Sequence, residues 1–113
     1  MSEAVELTGR HCSACEAGIS PLTESDAAKL AGGLDPDWER TALHIRRSFR
    51  FADFRDTFAF ATKVALLAEA EGHHPELLVR WGRLVVTLTT NAANGLTDND
   101  FIMAAKIDTF VGS

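Results

Sequence analysis

The sequence is short of several things, and each shortage closes off a class of function. Only two of its 113 residues are cysteines, Cys12 and Cys15, and no second Cys-x-x-Cys or paired-histidine spacing follows them. A four-ligand structural zinc site therefore has too few partners. No apolar run approaches the ~20 residues that a membrane-crossing helix needs, so no membrane partner is expected. Basic residues are a minority, 11 Lys and Arg against 16 Asp and Glu for a net charge of -5. Without a basic surplus to neutralise phosphates, direct nucleic-acid binding is not expected. The opening Met-Ser-Glu-Ala-Val-Glu-Leu carries acids where a signal peptide carries bases, which points to the cytoplasm. What is present, 46% apolar and 24% charged residues, is the composition of an ordinary globular chain long enough for one core.

Cys12 and Cys15, preceded by His11, have the spacing of half a zinc site or of a redox pair. A thioredoxin-like pair opens a helix after a strand, and no strand-like run precedes this one. The two are read as reduced thiols in an N-terminal segment.

Residues 1–21 show no clear periodicity and read as an arm; residues 22–113 read as a single domain. Thr23 caps a helix with Asp26 in its first turn, Ala27, Leu30, Ala31 and Leu34 mark its apolar face, and Gly32-Gly33 ends it. Asp35-Pro36-Asp37 is turn chemistry, after which Trp38 is expected to begin a short strand. From His44 to Phe51 the pattern alternates, with Ile45, Phe49 and Phe51 on one side and His44, Arg46, Ser48 and Arg50 on the other. That is a half-buried strand with a charged, solvated outer face. Asp53 caps a long helix to about Glu71. Its apolar stripe is expected along Phe54, Phe58, Ala61, Ala65 and Ala68, widened by Phe60, Val64 and Leu67, and Gly72 stops it. Leu77–Trp81 and Arg83–Thr90 read as a hairpin around Gly82. Thr97 to Asp100 repeats the capping pattern before a last helix with Met103, Ile107, Phe110 and Val111 inside. The predicted fold is α+β, in the order α-β-β-α-β-β-α, with a four-stranded antiparallel sheet carrying helices on one face.

The chemistry is concentrated in Gly72-His73-His74-Pro75. Pro75 forces His74 out of the helical region, so the imidazoles leave the helix end on extended backbone and diverge. Diverging rings suit separate roles better than chelation of one metal. The nearby Glu69, Glu71, Glu76, Asp98 and Asp100 show no ligand spacing, and no metal site is expected. By spacing alone, a functional pair and a satisfied loop pair are equally good readings.

Glu69-x3-His73-His74-Pro75, Trp81-Gly82-Arg83, Thr89-Thr90, Gly95-Leu96-Thr97-x-x-Asp100 and Phe101-Ile102-Met103-Ala104-Ala105-Lys106 together resemble the pterin-4a-carbinolamine dehydratase family. The helix entry Phe51-x-Asp53-Phe54 and His11-Cys12-x-x-Cys15 are similar to its bacterial members. The resemblance covers nearly the whole chain and implies the same element order, homodimers or homotetramers, and no metal or organic cofactor. It also implies a hydro-lyase that dehydrates 4a-hydroxytetrahydropterin to quinonoid dihydropterin. One proton goes to the leaving 4a-hydroxyl and one is taken from a ring nitrogen, and histidines suit both steps near neutral pH. His73 and His74 match the first two members of the family's histidine set and are the expected catalytic residues. Glu69, Pro75, Thr89, Thr90, Asn91 and Asp100 are the expected substrate-site residues, with Asp100 also a helix cap.

The departure is Asn91, which stands where the family pattern has a third histidine. A carboxamide holds hydrogen bonds but does not exchange protons near pH 7. Strand alternation places Val85, Thr87, Thr89 and Asn91 on one face and Leu84, Val86, Leu88 and Thr90 on the other. The aliphatic side is expected against the helices and Asn91 at the strand end beside the His73-His74 turn. Two functions stay open. One is an attenuated pterin dehydratase. The other is a non-catalytic binding protein, of which the family offers two kinds: a dimerisation cofactor for a transcription factor, and an assembly factor for RuBisCO associated with α-carboxysomes.

Overall fold

The computed structural model describes residues 3–14 and 18–112. The elements run α1 (Glu3–Thr8), α2 (Glu24–Ala31), β1 (Glu39–Arg40), β2 (Ile45–Arg50), α3 (Phe54–Glu71), β3 (Glu76–Arg80), β4 (Arg83–Leu88), a short 3-10 turn (Asn91–Ala93) and α4 (Asp98–Asp108). The strands make one antiparallel sheet in the order β1-β2-β4-β3, and the helices pack on one of its faces. This is the expected α+β arrangement, with α1 added in the arm.

The helix starts follow from local chemistry. Thr23 Oγ1 accepts the Asp26 amide at 3.1 Å, and Asp53 Oδ1 accepts the Asp56 amide at 2.8 Å. Each satisfies a donor that the first helical turn leaves orphaned. α3 ends at Gly72, whose φ of 70° is the left-handed conformation that glycine adopts without a Cβ clash. The β3–β4 hairpin turns on Trp81-Gly82, with Gly82 at φ 70°. The Phe51 amide donates to the Gly82 carbonyl at 2.9 Å, fastening the turn to the end of β2.

Along β2 the sheet alternates strictly. Ile45, Arg47 and Phe49 face inward, and Arg46, Ser48 and Arg50 outward. The inner rows pair Ile45 with Leu88, Arg47 with Val86 and Leu77, and Phe49 with Leu84 and Val79. Phe101, Ile102, Met103 and Ile107 of α4 complete the core.

Four expectations are corrected. Arg47, within the strand read as having its charge outside, points into the protein at 8% exposure. It pairs with Asp108 at 2.7 Å, lies near Asp35 and Asp37, and stacks over Phe49 at 4.5 Å. Buried charge requires such pairing. The buried face of α3 holds the expected Phe60, Ala61, Val64 and Ala68 together with Thr57, so it lies on the widened side of the expected stripe. Phe54, Phe58 and Ala65 are exposed instead, beside an exposed Leu66. Trp38 precedes β1 rather than opening it, and its indole donates to Asp108 at 2.8 Å. Val111 is exposed because α4 stops at Asp108, three residues before it.

The arm is more ordered than its lack of periodicity suggests. α1 packs on α4, and Leu7 is 2% exposed. Among the described residues, no helix is long and apolar enough to cross a membrane.

Candidate active site

The left-handed turn at Gly72 throws the two histidines off the end of α3, and Pro75 carries the chain straight into β3. The rings separate as their backbone geometry requires. His73 is 11% exposed at its side chain and bonds through Nε2 to Asp100 Oδ1 at 2.7 Å. His74 bonds through Nε2 to Glu69 Oε2 at 3.0 Å, and both of those side chains lie largely in solvent.

Asp100 has no solvent exposure, so its carboxylate depends on protein donors. Oδ2 accepts the Thr97 amide at 3.0 Å, the Asp100 half of a capping box that starts α4. The same oxygen accepts the Thr90 hydroxyl at 2.8 Å. Thr90 gives its one hydroxyl proton to Asp100, so in its 2.8 Å contact with the Thr97 hydroxyl it is the acceptor. Oδ1 is left for His73. Where the carboxylate oxygen is the acceptor, the neutral ring of His73 carries its hydrogen on Nε2 and its lone pair on Nδ1. A buried acid orienting an imidazole in this way is the arrangement that fixes the tautomer of a catalytic base.

Of the expected site residues, the structure joins His73, Asp100 and Thr90 in one network and His74 with Glu69 in another. Pro75, directly after His74, is half-buried. The Thr89 hydroxyl donates to the Leu43 carbonyl and takes no part in the His73 network. Asn91 directly follows Thr90, opens the 3-10 turn and is exposed, while Asn94 closes that turn at φ 53°.

Sequence reasoning missed a strap that crosses the site's flank. The Cys12 amide donates to Glu71 Oε1 at 2.7 Å, and His11 Nδ1 and Lys106 Nζ lie 2.9 and 2.8 Å from Glu71 Oε2. Asn99 grips Ser13 twice, accepting its amide at 3.0 Å and donating to its carbonyl at 2.7 Å. Arg10 reaches Asp98 at 2.7 Å. The strap thus binds Glu71, two residues before His73, and Asn99, one residue before Asp100. These are long-range polar contacts, which leave no periodic trace in a sequence.

Burial acts to raise the pKa of Glu71, but hydrogen bonds from Lys106, the Cys12 amide and His11, with the Lys106 charge, outweigh it and hold the carboxyl at about 2. Burial, together with the Glu71 charge, pushes the Cys12 thiol up to about 12. A thiol so placed is a poor nucleophile and a poor metal ligand at neutral pH. Cys15 lies outside the described residues. Among the described residues, no three His, Cys, Asp or Glu side chains are grouped to hold a metal ion.

Residues 20–110 match the family model described as Pterin 4 alpha carbinolamine dehydratase. A candidate pterin-4-alpha-carbinolamine dehydratase of Methylococcus capsulatus is 46% identical over 108 residues, covering 94% of each chain. A similarly named protein of Rickettsia bellii is 39% identical over 109 residues, 96% of each. The crystal structure of a transcriptional coactivator/pterin dehydratase from Brucella melitensis superposes with a TM-score of 0.76 at 39% identity, covering 82% of this chain and all of that one. A pterin dehydratase-like protein described as a RuBisCO assembly factor in the α-carboxysome superposes at 0.56 and 25% identity, covering 67% of this chain and 88% of that one. The chain belongs to the pterin 4 alpha carbinolamine dehydratase family.

Proposed function

We propose that the protein is a hydro-lyase that dehydrates 4a-hydroxytetrahydropterin to quinonoid dihydropterin. The observation carrying this reading is the 2.7 Å bond between His73 and a fully buried Asp100, which leaves Nδ1 of His73 free as a proton acceptor. Nδ1 takes the proton from the pterin ring nitrogen. His74, in its imidazolium form, gives a proton to the 4a-hydroxyl. The C4a–O bond breaks, water leaves, and one proton taken balances one given. Asp100 positions His73, Thr90 acts through Asp100, and Glu69 orients His74. Asn91 contributes a hydrogen bond to substrate but no proton, which sets the rate below that of a site with three histidines by ~10²-fold or more. The exposed apolar strip of Phe54, Phe58, Ala65 and Leu66 supports a homodimer or homotetramer, checked by sedimentation equilibrium.

The deciding assay generates 4a-hydroxytetrahydropterin in situ and follows its loss with wild type, His73→Ala and Asn91→His. Wild type faster than buffer, His73→Ala close to buffer and Asn91→His faster than wild type are expected. A wild-type rate equal to buffer and indifferent to His73→Ala rejects the reading.

A second reading, binding without catalysis, is favoured by Asn91 itself and by the likeness to the RuBisCO assembly factor. It would make RuBisCO the client and place the protein at the carboxysome. An inactive wild type that co-purifies with RuBisCO subunits would select it.

A further inference from the structure

The face of the sheet turned away from the helices carries a feature that the dehydratase reading does not use. Register sets Arg83 of β4 directly opposite Arg50 of β2 on one side and Arg80 of β3 on the other. Alternation puts all three on the outer face, where β2 exposes Arg46, Ser48 and Arg50 and β3 exposes Glu76, Leu78 and Arg80. Three guanidinium groups therefore stand in one cross-strand row, about 10 Å long across three strands. Like charges directly opposite one another destabilise a sheet. Arg10, Arg40, Arg47 and Arg55 all have carboxylate partners; among the described residues the three arginines of the row have none. Nε of Arg83 is buried without a hydrogen-bond acceptor among the described residues. In a chain of net charge -5, this is a local reversal of sign.

Beside the row is a ring. Trp81, in the hairpin turn, is 72% exposed. With Arg50, Phe51, Arg80, Gly82 and Arg83 it lines an open basin of about 400 Å³. The position of the turn is fixed, because Gly82 accepts the Phe51 amide and a Cβ at Gly82 would lie 3.1 Å from the Phe51 carbonyl. The basin sits at the far end of β3 from His73, about 16 Å along the strand.

We infer that this basin binds a nucleoside di- or triphosphate, with the phosphate chain along the arginine row and the base against Trp81. Guanidinium forks match phosphate oxygens in pairs, and an indole face stacks on a planar base. The volume suits one small ligand rather than a polymer.

The test titrates full-length protein with ATP, inorganic tripolyphosphate and adenosine, using calorimetry and tryptophan emission. ATP is expected to bind below about 1 mM and to quench Trp81, with tripolyphosphate weaker and adenosine weaker again. Arg83→Met and Arg80→Glu each weaken ATP by about tenfold or more. Trp81→Leu weakens ATP by several-fold and leaves tripolyphosphate unchanged. Arg55→Gln, on a different surface, leaves ATP binding unchanged. Circular dichroism confirms that each variant is folded. Absence of ATP binding, equal ATP affinity in folded Arg83→Met and Arg80→Glu, or tripolyphosphate binding as tightly as ATP with Trp81→Leu indifferent to both, overturns the inference. A single-stranded oligonucleotide binding far more tightly than ATP overturns it in favour of nucleic acid.

Discussion

His73 and His74 are neighbours in the chain, leave the same helix end and each meet a carboxylate within 3.0 Å. Their settings differ in every other respect. The acid of His73 is sealed from solvent and fixed by two other donors, whereas the side chain of Glu69 lies largely in solvent. A hydrogen bond of similar length therefore has different consequences. For His73 it dictates a tautomer and an orientation. For His74 it is a solvated contact, worth little to stability.

The largest expected effect comes from removing the asymmetry at its source. Asp100→Ala takes away the acceptor of the Thr97 amide, the Thr90 hydroxyl and His73 together, and is expected to cost about 3–5 kcal/mol in urea unfolding. Glu69→Ala, the matching change under His74, is expected to cost less than about 1 kcal/mol. Next, the dehydration rate is expected to fall by ~10³-fold in His73→Ala and by a smaller factor, ~10- to 100-fold, in His74→Ala. Equal losses would show that the buried acid confers no advantage.

Glu71 sharpens the comparison, since it is a second buried acid close to His73. Its pKa is depressed from 4.5 to about 2 in the folded protein. It therefore contributes stability that is fully present above pH 4.5 and is lost as the pH falls towards 2. Glu71→Gln is expected to cost about 2–3 kcal/mol at pH 7, with the gap from wild type closing between those two pH values in a series of urea melts. The smallest effect is at Cys12. With a thiol pKa near 12, its alkylation by iodoacetamide at pH 8, followed by peptide mass spectrometry, is expected to be slow until the protein unfolds.

The parts of this molecule that announce themselves in the sequence are those governed by neighbours. Thr23, Asp53 and Thr97 begin helices because their caps act within three residues. The alternation of Ile45 to Phe49 exposes the pleat, and Gly72-His73-His74-Pro75 marks a break that nothing else explains. What stayed hidden depends on distant partners. Arg47 lies inside because Asp108 waits 61 residues away. Phe54, Phe58 and Ala65 of α3 stay outside because the helix carries more apolar positions than the one face packed on the sheet needs. At the site, His73 and Asp100 were legible individually, but the division of labour between the two carboxylate oxygens was not.

That division has a consequence for how such a chain changes over time. Asp100 closes the first turn of α4 with one oxygen and bonds an imidazole with the other, so under the proposed dehydration a single side chain is answerable to both folding and chemistry. A descendant that abandons the reaction still needs a carboxylate there to begin the helix. Its presence is therefore uninformative about activity, while a histidine at the end of α3 carries no comparable structural duty. Loss of catalysis in this scaffold is free to begin at the bases and leave the acid beneath them untouched, so a retired enzyme and a working one share their most buried charge.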